Sequence, residues 1–110
     1  MENSRFKFRV WYKSVKAFQF DAEVFLSEVI DDNDVIIEQC TGLKDRNGKL
    51  IYEGDLIKID DDVAVIKWSD YYARFILESS EDIFDFETTY AEECKVIGNI
   101  HENADLLEVG

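Results

Sequence analysis

Between Gln39 and Ile59 the chain reads QCTGLKDRNGKLIYEGDLIKI, with turn signals at Thr41-Gly42, Asn47-Gly48 and Glu53-Gly54-Asp55. Glycine reaches positive φ without a steric penalty, so the backbone is free to reverse at each of these points. The runs between them are too short for helices and rich in strand formers, which predicts a tight β-corner. Asn47-Gly48 is the pairing favoured at the centre of a type I′ hairpin turn, where both residues take positive φ. Gly42, Asn47, Gly48, Gly54 and Asp55 are therefore the predicted structural turn residues. None of the glycines stands at phosphate-loop spacing.

The same pattern of short strands extends in both directions. Phe6, Phe8 and Val10 alternate with Arg5, Lys7 and Arg9, the period of a half-buried strand, and Trp11-Tyr12 breaks the alternation as at a strand end or an interface. Phe18 and Phe20 alternate around Gln19. Glu23–Ile30 reads as a strand, because Val24, Phe25, Val29 and Ile30 are poor helix formers, and the Asp31–Asp34 loop joins it to Val35-Ile36-Ile37 as a hairpin. Further strands are predicted at Leu56–Ile59, Val63–Trp68, Ala73–Leu77 and Lys95–Ile100. Phe84 and Phe86 suit an exposed strand or extended loop, while Thr88-Thr89 argues against a helix there. Asn103 is placed to cap a short helix from Ala104 to Glu108. The fold class that follows is mainly β, a small barrel-like or sandwich domain of short antiparallel strands, SH3-like in part, with a short C-terminal helix. With no proline and no linker composition, residues 1–110 form one domain: 1–38 supplies N-terminal strands and 39–110 the barrel-like part.

The segment TGLKDRNGKLIYEGDLIKI, followed by Val96-Ile97-Gly98-Asn99-Ile100-His101-Glu102-Asn103, resembles the YopX family of small phage and prophage proteins. The opening Phe6-Lys7-Phe8-Arg9-Val10-Trp11 also fits that family's start, and the likeness covers Gln39 to Glu108. Ala104 stands where the family pattern usually has proline. The resemblance implies phage or prophage origin, a mostly β fold and an uncharacterised function, and it supplies no catalytic residue.

Charge is distributed unevenly. Residues 1–16 hold Arg5, Lys7, Arg9, Lys13 and Lys16 against Glu2, and the rest holds seven basic and 24 acidic residues, so a +4 head precedes a −17 body. Nucleic-acid affinity rests on lysine and arginine displacing counterions, so this body is expected not to bind DNA or RNA. Basic heads are expected to dock on acidic bodies, within one chain or between copies. Arg5, Lys7, Arg9, Trp11 and Tyr12 are the candidate interface, joined by Tyr71 and Tyr72, which cannot both point inward on one strand.

Chemistry-bearing patterns are scarce. Cys40 and Cys94 lack a CxxC partner and read as reduced core residues. His101 is the only histidine and reads as a surface or turn residue. No GxSxG, GxxxxGK[ST] or GxGxxG occurs, and nothing selects two carboxylates from twenty-five for acid–base work. Asp31–Asp34 and Asp45–Gly48 lack a full calcium ligand set and read as turns. Apolar runs are too short to span a bilayer, and no signal-peptide pattern is present, which predicts a cytoplasmic protein, and the family resemblance implies that the cell is a bacterial host. The expectation is a non-enzymatic, self-assembling interaction module: a homo-oligomer, with a host protein as a further partner and no cofactor. An acidic nucleic-acid mimic that inhibits a host DNA-binding enzyme is the alternative, and a metal-dependent hydrolase the weaker one.

Overall fold

Positive φ occurs at the three corner glycines, Gly42 at 84°, Gly48 at 83° and Gly54 at 88°. The computed structural model describes residues 7–20, 34–79 and 82–107. Arg5, Phe6, the strand read at Glu23–Ile30 and most of the Asp31–Asp34 loop lie outside the described residues.

The chain is mainly β and folds as two antiparallel sheets. One holds β1 (Phe8–Tyr12), β2 (Ala17–Phe20), β3 (Val35–Lys44) and β4 (Leu50–Tyr52) in the order β2-β1-β3-β4. The other holds β5 (Asp55–Ile59), β6 (Asp62–Ser69), β7 (Arg74–Glu78), β8 (Ile83–Asp85) and β9 (Lys95–Asn99) in the order β8-β7-β6-β5-β9. A short helix, α1 (Thr88–Glu93), precedes β9, and a 3-10 turn at Ala104–Leu107 follows it. Because β3 crosses residues 38–39 and carries β4 with it, the first sheet takes its strands from both sides of that point.

The core lies where the sheets meet. Ile51, Ile57, Ala64, Ile66, Leu77, Ala91, Cys94 and Val96 form one buried cluster, covered by Leu43, Phe75, Phe86 and Tyr90. Burying each large aliphatic side chain stabilises by about 1.5–3 kcal/mol, so this cluster dominates the fold's stability. Leu56 and Ile57 are both fully buried, since β5 lies inside its sheet, between β6 and β9, and is covered on both faces. Cys40 and Cys94 are free and buried, as expected of small core-filling thiols.

Several local readings need correction. Gly42 is not in a turn: it sits inside β3 where the register with β4 shifts between Cys40 and Lys44, a bulge that needs its positive φ. The 45–48 turn is not type I′, because Asn47 does not take positive φ. The Gly48 N–H donates to the Asp45 carbonyl at 2.9 Å, and the Asp45 carboxylate accepts from the N–H groups of Asn47 and Lys49, both at 2.9 Å. A turn closed by a left-handed glycine results, held by the aspartate rather than by Asn47. Thr88 and Thr89 do lie in a helix, because burial of Ala91 and Cys94 against the core outweighs a weak β-branched preference. Asn103 does not cap the last turn through its side chain; its Oδ1 instead accepts from the Asn99 N–H at 3.1 Å.

Candidate interaction surfaces and the buried arginine node

Arg9 sits in the middle of β1, between β2 and β3, with only 4% of its surface exposed. A buried guanidinium needs acceptors for its fixed fork of N–H groups. Nε donates to Glu38 Oε1 at 2.9 Å, one terminal nitrogen to Asp55 Oδ1 at 2.8 Å, and the other to the Glu53 carbonyl at 3.1 Å. Phe18 covers the guanidinium carbon at 4.4 Å and Tyr52 at 5.0 Å from the ring centres. Cation–π contacts of this kind gain strength when the cation is removed from water.

The two carboxylates have their remaining oxygens engaged as well. Glu38 Oε2 lies 3.0 Å from His101 Nε2, and Asp55 Oδ2 accepts from the Tyr52 N–H at 2.8 Å. His101 stacks on Trp11 with ring centres 4.9 Å apart and planes 11° from parallel. The histidine read as a surface or turn residue thus stands at a turn but points inward. Burial pushes the Asp55 carboxyl above its ordinary value, against the pull of Arg9 and of the Tyr52 N–H. Burial raises Glu53 as well.

Both motif segments are built to meet at this node. Gly54 carries the chain from β4 to β5, and a Cβ there would collide with the Glu38 carboxylate. Its N–H donates to Ile66 at 2.7 Å, and its carbonyl accepts from Ile100 at 2.9 Å, which ties the first motif to the second. Asn99 Oδ1 accepts from the N–H groups of His101 at 3.0 Å and Glu102 at 2.9 Å, the local turn that aims His101 at Glu38. Gly98 has no side chain because Asn103 lies against it.

A second carboxylate, Asp45, locks the corner to the other sheet through its bond from the Val96 N–H at 2.9 Å. Burial alone would raise its carboxyl, but the three backbone donors Val96, Lys49 and Asn47 hold it below the ordinary range. Three backbone N–H groups thus engage both oxygens of the Asp45 carboxylate, Asn47 and Lys49 on Oδ1 and Val96 on Oδ2.

The described candidate interface residues separate into three groups by burial. Arg9 and Trp11 are buried inside their own chain, the former against Glu38 and Asp55, so at this residue the basic head docks in cis. Lys7 and Tyr12 are half-buried, and the Tyr12 hydroxyl donates to Gln19 at 2.8 Å. Arg5 lies outside the described residues. Tyr71 and Tyr72 occupy the turn after β6 and are both exposed, Tyr71 by 87%, with their rings 4.8 Å apart. Trp68 on β6 and Ile83 and Phe84 on β8 are exposed as well, and Arg74 links the turn to β8 by lying over Tyr72 and pairing with Asp85 at 3.0 Å.

The node itself escaped sequence reasoning. One signal was available: Glu38 interrupts the apolar run of β3, as a buried counter-charge does. Among the described residues no group of three or more His, Cys, Asp or Glu is arranged to hold a metal ion, and no helix is long and apolar enough to cross a membrane.

Comparison with known proteins agrees with this architecture. The sequence model of the family described as YopX protein matches residues 12–108. Among solved structures, the crystal structure of protein EF1440 from Enterococcus faecalis is similar, with a TM-score of 0.71 and 25% identity over 92% of this chain and 96% of that one. The comparison with curated proteins returns no match.

Proposed function

The chain belongs to the YopX family, and from that premise we propose that it is a non-enzymatic interaction module that self-assembles through the β8 edge. The exposed aromatic ledge carries the reading. Among the described residues β8 is the outer strand of its sheet, all three of its residues are exposed, and Asp85, at its end nearer the β6–β7 turn, is held by Arg74, which lies over Tyr72. An open strand edge offers unpaired N–H and C=O groups, and antiparallel pairing with the same edge of a second copy satisfies both at once. Tyrosines at the margin of such a seam are the residue type enriched in interface hot spots. The non-enzymatic part draws support from His101, whose Nε2 is committed to Glu38 beneath Trp11. Nucleic-acid mimicry has less support, because Glu38, Asp45 and Asp55 are buried rather than displayed.

Salt separates this mode from head-to-body docking. Copies of net charge −13 repel one another, so an apolar edge contact strengthens as salt screens that repulsion, whereas a basic–acidic contact weakens. Sedimentation equilibrium in low salt and at about 0.5 M, where the screening length is only a few ångströms, should show a dimer favoured at high salt. Phe84→Lys should abolish it. A monomer at high micromolar protein under both conditions refutes the proposal.

A further inference from the structure

Seven basic side chains follow residue 16, and the fold sorts them into two classes. Lys67 pairs with Glu78 at 2.9 Å and Arg74 with Asp85 at 3.0 Å. Lys44, Arg46, Lys49, Lys58 and Lys95 make no ion pair among the described residues, although acidic residues outnumber basic ones about two to one in the whole chain. Arg46, Lys58 and Lys95 are gathered around one hollow, whereas Lys44 and Lys49 line another. Lys58 and Lys95 are direct register partners on β5 and β9. The Arg46 N–H donates to the Cys94 carbonyl at 3.0 Å, which sets the turn beside Lys95, and the Asp45 N–H donates to the Lys49 carbonyl at 2.8 Å, which closes the turn between Lys44 and Lys49.

Arg46, Lys58 and Lys95 line one open depression of about 790 Å³ together with Ile59, Ile97, Asp60 and Glu93, so its three cations exceed its two carboxylates by one. Like charges directly opposite on paired strands oppose folding. A chain this acidic had ample means to place a carboxylate opposite Lys95 instead. Three unpaired cations around one hollow form a ready receptor for concentrated negative charge, with the guanidinium fork suited to two phosphate oxygens and the ammonium groups serving as point charges.

We propose that this depression binds a compact polyphosphate group. Size decides against a long polyanion: the net charge of −13 repels a nucleic acid along its whole length, whereas a di- or triphosphate meets only the local positive field.

Sodium tripolyphosphate is the probe, with sodium sulfate at matched ionic strength as its control, and the readouts are thermal melting and amide chemical shifts. Tripolyphosphate should raise the melting temperature of the wild type and of Lys67→Gln, bind at least about tenfold more tightly than sulfate, and shift amides near residues 46, 58 and 95. Lys58→Gln and Lys95→Gln should each weaken it by about tenfold or more. Both positions are exposed, so the variants fold, and without ligand each should melt above the wild type because the cross-strand repulsion is relieved. Absence of a tripolyphosphate effect, or an equal effect in Lys95→Gln, overturns the proposal. Tighter binding of a DNA duplex of about 15 base pairs than of tripolyphosphate overturns it in favour of a nucleic-acid face.

Discussion

Gly48 and Gly54 have nearly the same backbone conformation, with φ of 83° and 88°, but opposite surroundings. A Cβ added at Gly48 meets no heavy atom within 4 Å. At Gly54 it would fall 2.8 Å from the carboxyl carbon of Glu38 and closer still to Oε2. The left-handed backbone alone costs an alanine about 1–2 kcal/mol, and both substitutions incur that. Glu38 cannot swing away from Gly54→Ala without losing its 2.9 Å bond from Arg9 or its 3.0 Å contact with His101. Disabling one partner of a buried ion pair costs a further 3–5 kcal/mol or so, since Arg9 would keep its charge out of water with only Asp55 to match it. Gly48→Ala should therefore lose about 1–2 kcal/mol and Gly54→Ala roughly 4–7. At around 4 °C per kcal/mol for a chain of this size, the melting temperatures should differ by more than about 10 °C. Urea unfolding followed by tryptophan fluorescence gives both values. Introducing Gly54→Ala into a Glu38→Ala background should cost only the strain part, because the collision has been removed. Equal losses at the two glycines, or strict additivity with Glu38→Ala, would refute the reasoning.

Two further tests concern buried titratable groups. Asp45 has its carboxyl held low in the fold, so its contribution to stability is present above the ordinary aspartate range and is lost as pH falls through the folded value; Asp45→Asn should flatten the acid limb of a stability–pH curve and cost about 1–3 kcal/mol at neutral pH, and an unchanged acid limb would contradict the turn's construction. Burial pushes the Cys94 thiol up to about 11, so alkylation at neutral pH should require opening of the core, with a rate that follows urea concentration; rapid labelling in native buffer would place Cys94 outside the cluster.

Strand periodicity made most of the fold legible. β5, β6, β7 and β9 fall where short runs rich in apolar, strand-forming residues lie between turn signals. What went astray did so for local reasons. Gly42 and Gly48 both announce positive φ, but only pairing register distinguishes a bulge from a turn. Thr88-Thr89 reports a weak preference, and the core contacts of Ala91 and Cys94 lie far along the chain from the strands that supply them. The node left only one local trace, Glu38 within the apolar run of β3, because its bonds join Arg9 to residues 38, 53 and 55, and Glu38 to 101, separations at which no local pattern acts.

The charge pattern shows most sharply how the fold reorders the sequence. Read along the chain, charge divides at residue 16 into a basic head and an acidic body. In space, the division follows different lines. Arg9 leaves the head for the interior and cancels against body carboxylates, while three body cations far apart in sequence, Arg46, Lys58 and Lys95, converge at one hollow. Burial of Arg9 demands counter-charges for the physical reason that an unpaired interior charge costs several kcal/mol. No such demand explains the exposed hollow, where each lysine could point into water on its own and two are instead paired across strands. The arginine node is thus accounted for by folding alone, and the basic hollow is not. That asymmetry directs the search for function away from the motif glycines and His101, which build the scaffold, and toward the two surfaces that stability leaves unexplained: the aromatic edge at β8 and the cation-lined hollow between Arg46, Lys58 and Lys95.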